Sequence, residues 1–198
     1  MPTPERTSRD AIVAAGRDLL ETAGLDGLTM QAVAERVGVR APSLYKRVRN
    51  RHQLITLVAE ASLRELSARM DAAAGAPGRD PGLAMRRIAR ACRAFAHERP
   101  TGFRLIFGST TGVELDVEAL SAASAPVLRV AAELAGHEHA LDAARTFTAW
   151  ANGFIGMELA GAFRLGGDVD EAFEYGLSRL TRALAGPGVG DEGLAAAG

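Results

Sequence analysis

Apolar residues recur three and four positions apart along almost the whole chain, and runs of alternating apolar and polar β-branched residues are nearly absent. This spacing predicts an all-α fold. Ile12, Ala15, Leu19 and Ala23 mark the buried stripe of a first helix that Gly24 ends, because glycine readily takes the left-handed conformation at a helix terminus. Thr29 caps a second helix bearing Met30, Val33, Ala34 and Val37. A short third helix follows Gly38-Val39, with Pro42 tolerated in its first turn and Leu44 and Val48 facing inward. Asn50 caps a fourth that begins at Arg51 and runs through Leu54, Leu57, Val58, Ala61 and Leu66. The Gly- and Pro-rich stretch GAPGRDPG at 75–82 interrupts the pattern. Five helices are expected beyond it, from Pro81 to Glu98, Thr101 to Phe107, Asp116 to Ala135, His139 to Phe163 and Val169 to Ala185, which makes about nine in all. The final segment, GPGVGDEGLAAAG, has too little bulk to pack and is expected to be mobile.

With 198 residues, 47% of them hydrophobic, the chain can bury a substantial core. No stretch reaches the ~18 consecutive apolar residues of a membrane span, and MPTPERTSRD lacks the apolar run of a secretory signal. The expected location is the cytoplasm, with no membrane partner. A single cysteine, Cys92, excludes an internal disulfide and a cysteine cage for metal. It reads as a small apolar residue on a buried helix face, with a redox sensor as the alternative. The net charge of −1 conceals an asymmetry: residues 1–52 hold nine basic and six acidic side chains, the remainder fourteen and eighteen. Arg36, Arg40, Lys46, Arg47, Arg49 and Arg51 fall in sixteen residues that contain no Asp or Glu. So compact a positive segment suits a polyanionic partner, while the mildly acidic remainder keeps such a partner from binding everywhere. A solvated charged face would account for the run equally well. The twenty-two arginines against one lysine reflect codon usage and carry no function.

Around this segment the residues have the arrangement of a helix-turn-helix. In TMQAVAERVGVRAPSLYKRV, from Thr29 to Val48, Ala34 is small where two helices cross closely and Gly38 permits a sharp turn, while Val33, Val37 and Leu44 supply the shared core. Arg40, Ala41, Ser43, Lys46 and Arg47 are left on the exposed side of the third helix, with Tyr45 at its edge. The major groove of duplex DNA is wide enough to admit that helix.

The longer segment LTMQAVAERVGVRAPSLYKRVRNRHQLITLV resembles the DNA-binding domain of TetR-type transcriptional regulators, matching their pattern at Thr29, Ala34, Gly38, Val39, Leu44, Tyr45 and Leu54. Val48 departs from it, standing where the family usually has phenylalanine. The resemblance implies that Tyr45 and Lys46 grip phosphates from the third helix, that Thr29 does so from the start of the second, and that Arg51 touches the DNA backbone from the start of the fourth. Thr29 also reads as a simple N-cap, and Tyr45 as a packed edge aromatic. Arg40 and Ser43 are the candidates for base edges, since a guanidinium can bond guanine O6 and N7 together.

Towards the end, ARTFTAWANGFIGMELAGAFRLGGDVDEAFEYGLSRL, together with ERPTGFRLIFG at 98–108, resembles the WHG-type C-terminal domain of some TetR-type regulators. Asn152 replaces its usual histidine. Gly153, Gly156, Ala160 and Gly161 give one helix a smooth side, and Val169, Phe173, Leu177, Leu180 and Leu184 give the last helix an apolar stripe. The resemblance implies a homodimer through these last two long helices and a near-palindromic operator whose half-sites lie about 34–36 Å apart. It also implies a small-molecule effector in a cavity between the fourth and eighth helices and, more specifically, a repressor released by that effector. Phe95, Phe103, Phe107, Trp150, Phe154, Met85 and Met157 are candidates for its lining, with Glu158, Arg104, His97 and Arg93 to orient a polar group. Ordinary core packing, or an ion pair between Glu158 and Arg104, would explain these residues equally well.

The organisation expected is an N-terminal tail and helix-turn-helix over 1–50, a connecting helix over 51–74, a ligand-binding and dimerisation domain over 75–185, and a tail over 186–198. An enzyme is the contrasting reading, but there is no glycine-rich phosphate loop after a strand, no HExxH and no persuasive nucleophile-base pair. Catalytic residues, a metal site and a cofactor are therefore not expected. His137 and His139 in GHEH lie two residues apart and are read as part of a surface turn. The other alternative is a dimeric ligand-binding or interaction module without sequence-specific DNA binding, against which the basic third helix argues.

Overall fold

The computed structural model describes residues 8–78, 80–108 and 115–185. Among these the chain forms α1 (Arg9–Gly27), α2 (Met30–Val37), α3 (Ala41–Leu44), α4 (Arg51–Ala74), α5 (Pro81–Glu98), α6 (Pro100–Phe107), α7 (Val117–Ala135), α8 (Ala140–Leu159) and α9 (Val169–Leu184). A 3-10 turn at His137–His139 precedes α8 and holds the two GHEH histidines. The fold is all-helical, as the periodicity predicts. The C-terminal tail 186–198, expected to be mobile, lies outside the described residues.

Two compact units are present, and their boundary falls within α4. The first runs to Glu65 and also takes in Glu98–Leu120, so it is discontinuous in sequence; the second comprises Leu66–His97 and the residues from Ser121 onward. This differs from the division expected at the Gly/Pro-rich stretch, because α6 joins the first unit.

In the first unit, Ile12, Leu20, Leu28, Val33, Ala34, Leu44, Val48, Leu54 and Val58 are essentially inaccessible to solvent, and Leu105 of α6 belongs to the same core. The stripe on α1 differs from the expected one. Ile12 and Ala15 are buried as expected, but the stripe continues through Gly16 and Leu20, whereas Leu19 is half-buried and Ala23 is exposed. Gly16 is the reason: a Cβ there would stand 2.8 Å from Cγ2 of Val58, so its absence lets α1 approach α4 closely along the i, i+4 row. Gly24 has φ +69° and interrupts regular α1 at the position predicted. From α1, the Glu21 carboxylate accepts hydrogen bonds from the N–H groups of Thr101 (3.1 Å) and Gly102 (2.8 Å), satisfying orphan donors at the start of α6.

In the second unit, Met85, Ile88, Phe95, Val130, Leu134, Phe147, Ile155, Phe173 and Leu177 form the buried interior. Helix α8 stops at Leu159, short of the predicted Phe163, because Gly161 turns left-handed at φ +62° and its N–H bonds back to the Glu158 carbonyl. Asp168 then caps α9 by accepting from the N–H groups of Asp170 and Glu171. Of the expected α9 stripe, Phe173 and Leu177 are buried, while Val169, Leu180 and Leu184 are only partly covered. Cys92 is buried, and loss of hydration pushes its thiol up to about 12, in keeping with the packing reading.

Candidate nucleic-acid interface

Local caps set the geometry of the basic segment. The Thr29 hydroxyl oxygen accepts from the Ala32 N–H at 3.1 Å and starts α2. Gly38 adopts the left-handed conformation (φ 74°, ψ 37°), and the Val39 N–H returns to the Ala34 carbonyl at 2.9 Å. The chain therefore leaves α2 in one direction only. Leu44 and Val48, both inaccessible, tie α3 and the turn after it to the core. Arg40, Tyr45, Lys46 and Arg47 are exposed, and Ala41 and Ser43 are partly so. The four-residue α3 is shorter than the expected helix, since a turn takes over from Tyr45. Tyr45 is 53% exposed, which removes the alternative of a packed edge aromatic.

Of the two roles expected of Thr29, the N-cap is present in its bond from the Ala32 N–H. Arg51 has partners within the chain. Its Nε donates to the Leu28 carbonyl at 2.8 Å and its Nη2 to the Leu25 carbonyl at 2.5 Å, so the guanidinium is committed to the end of α1. Asn50 accepts from the Gln53 N–H at 2.9 Å, capping α4 as predicted. The Gln53 side-chain oxygen accepts in turn from the Arg49 N–H at 2.7 Å, a reciprocal bond beyond the expected Asn50 cap. An Asn-x-x-Gln spacing was its signal.

Residues 12–57 match the family described as bacterial regulatory proteins, tetR family, and residues 85–180 match the tetracyclin repressor-like C-terminal domain. Together these cover more than two thirds of the chain. The chain belongs to the TetR family. A tetracycline repressor of class A from transposon 1721 of Escherichia coli is 45% identical over 56 residues, which are 28% of this chain and 26% of that repressor. An HTH-type transcriptional regulator of Mycobacterium tuberculosis is 28% identical over 162 residues, covering 80% of this chain and 73% of that protein. Among solved structures, a TetR variant from Acinetobacter baumannii AYE in complex with minocycline superposes with a TM-score of 0.67 at 25% identity, covering 89% of this chain and 95% of the other. This TetR-family chain has the domains of a DNA-binding transcriptional regulator and not of an enzyme.

The structure distributes the residues expected around an effector between its two units. Phe103, Arg104 and Phe107 lie on α6 in the first: Phe103 is buried, its ring 4.8 Å from that of Phe107, and Arg104 and Phe107 are exposed. Phe95, Trp150, Phe154, Met157 and Glu158 lie in the second. Phe95 is wholly enclosed, with the Arg69 guanidinium 5.4 Å above its ring. Trp150 stacks on Phe173 at 5.4 Å and meets Phe154 at 5.8 Å, whereas Met157 is half-exposed. Glu158 does not use Arg104 as its partner. It accepts a bidentate pair from Arg93 (2.9 and 2.5 Å), with His97 Nε2 at 3.1 Å. Arg93 also bonds Asp170 and lies 4.8 Å over the Phe173 ring. These hydrogen bonds hold the Glu158 carboxyl below its ordinary value, overcoming the opposing effect of burial. A groove of about 470 Å³ lies above this network, and of the expected effector residues Arg93, His97 and Glu158 line it. No group of three or more metal-ligating side chains occurs among the described residues, and none of their helices is long and apolar enough to cross a membrane.

Proposed function

We propose that the protein is a homodimeric repressor that binds a near-palindromic operator and is released from it by a small molecule. The observation that carries this reading is the left-handed Gly38 turn, which follows a Thr29-capped α2 and leads into α3 with exposed Arg40, Lys46 and Arg47 at its two ends. In this reading Arg40 and Ser43 meet base edges, Ala41 packs beside them, and Thr29, Tyr45 and Lys46 hold phosphates. Such a protein acts on the chromosome in the cytoplasm. Dimerisation through α8 and α9 is supported by the exposed side of α8, where Ala149, Gly153, Gly156 and Ala160 form a smooth strip and a Cβ at either glycine would meet nothing within 4 Å. Exposed Met157 and Tyr175 add apolar area on the same two helices. Effector control, and the WHG-type character of the C-terminal body, rest on resemblance and on the minocycline complex of the structural relative.

Selection of bound duplexes from a random-sequence library tests the reading. A palindromic consensus should emerge, Lys46→Ala should weaken every duplex and lower the salt slope by about one unit, and Arg40→Ala should relax preference at one position in each half-site. Absence of any enriched duplex at low salt would sink it.

A further inference from the structure

We infer that Arg51 serves DNA recognition as a positioning residue, a clasp that fixes the α1–α2 turn to the start of α4, rather than as a phosphate contact. The inference rests on the operator-binding reading above, and deepens it. Leu25 and Leu28 lie at the end of α1, where the Leu25 carbonyl also accepts from the Leu28 N–H at 3.3 Å. The planar guanidinium spans both, with Nε on Leu28 and Nη2 on Leu25. The Leu28 carbonyl belongs to the peptide unit that supplies the Thr29 N–H. That N–H donates to the Gly27 carbonyl at 2.9 Å, while the Thr29 side chain caps α2. Arg51 thus grips the peptide plane at which α2 is launched. On the other side, the Asn50 and Gln53 bonds lock the first turn of α4 to the segment leaving α3. The start of α4 consequently holds both ends of the α2–α3 pair, the earlier through Arg51 and the later through its own cap.

A lysine at this position would keep the positive charge but offer a single point of donation, without the fork that two carbonyls three residues apart require. This difference separates a clasp from a charge.

The test compares wild type, Arg51→Lys and Arg51→Ala, each shown to be folded by circular dichroism at 25 °C. Binding is measured by fluorescence anisotropy on the selected operator and on a scrambled duplex of equal length, over a series of salt concentrations. The clasp predicts that both variants lose about tenfold or more in operator affinity, with scrambled-duplex affinity within about twofold of wild type and the operator salt slope unchanged. It also predicts faster amide hydrogen exchange from Thr29 to Ala32 in Arg51→Lys, a readout that needs no DNA. If Arg51→Lys binds like wild type while Arg51→Ala weakens on both duplexes with a slope lower by about one, Arg51 is a phosphate contact and the inference fails. If both variants bind like wild type and only melt earlier, the bonds are structural and the inference fails again. Should wild type select no operator, the repressor reading falls, and the exchange measurement alone still judges the clasp.

Discussion

Replacing both Gly153 and Gly156 by alanine sets the stability of the protomer against its self-association. Both glycines lie within α8, and a Cβ at either position meets no atom within 4 Å. In the single chain the substitutions should therefore stabilise, each by about 0.5–1 kcal/mol, because alanine has the better helix propensity and loses less backbone freedom on folding. The sum, about 1–2 kcal/mol, corresponds to about 2–8 °C in melting temperature for a chain of this size. In a two-fold dimer packed on this strip the same methyl groups intrude where backbones meet. Overpacking of a close interface typically costs about 1–3 kcal/mol per site. Even a combined ~2 kcal/mol would raise the dimer dissociation constant by roughly thirtyfold. Sedimentation equilibrium over a concentration series, paired with thermal melts at the same concentrations, separates the two effects. The variant should melt higher than wild type where both are monomeric, and dissociate at much higher concentration. An unchanged dissociation constant with a uniformly raised melting temperature would refute α8 as the surface where protomers meet.

Other expectations follow from the buried polar groups and the thiol. Glu158→Gln should lower stability at neutral pH by about 1.5–3 kcal/mol, since it removes the charge from the paired oxygens facing Arg93. The Glu158 pKa is lower folded than unfolded, so its contribution is complete above the unfolded value and is lost as pH falls through the folded one; urea titrations should show the two proteins converging at acid pH. A constant difference across pH would show that charge is irrelevant there. Glu21→Ala should cost about 1.5–3 kcal/mol by leaving the Thr101 and Gly102 amides without their charged acceptor, measured by urea unfolding, and no loss would mean water replaces the cap fully. Cys92 should resist a thiol-specific disulfide reagent at pH 8 until the protein is denatured, and rapid native modification would show that the helix face around it opens.

The first four helices were legible because the residues that begin and end them act locally. Thr29, Gly38 and Asn50 each satisfy a backbone group within five positions, so the sequence around them is enough. The exposed side of α3 followed from which positions Leu44 and Val48 must bury. By contrast, Glu21 looks like an ordinary surface acid of α1, and only the chain's return after some eighty residues makes it a cap for α6. Glu158 and Arg93 were both recognisable as polar groups, but their pairing depends on how α5 and α8 face each other, and spacing along the chain favoured Arg104 no less. The end of α8 was misplaced because Ala160 to Phe163 continues the apolar composition, and the conformation of Gly161 decides the matter. The carbonyl acceptors of Arg51 were hidden for a related reason: charge and position suggest phosphate, and the Leu25 and Leu28 carbonyls come beside it only once α1 has ended.

The attachment of α6 to the helix-turn-helix unit bears on how the protein is made and how it may be recombined. During synthesis Glu21 and the core facing Leu105 emerge long before the residues that complete them, so the reader of DNA stays unfinished until α6 has left the ribosome. The Gly/Pro-rich segment at 75–82 looks like the obvious seam for grafting this reader onto another sensor. A chimera joined there would inherit a core missing Leu105 and an α1 carboxylate with no amides to cap, whereas one that carries Glu98–Leu120 along with the residues up to Glu65 would transplant the whole unit.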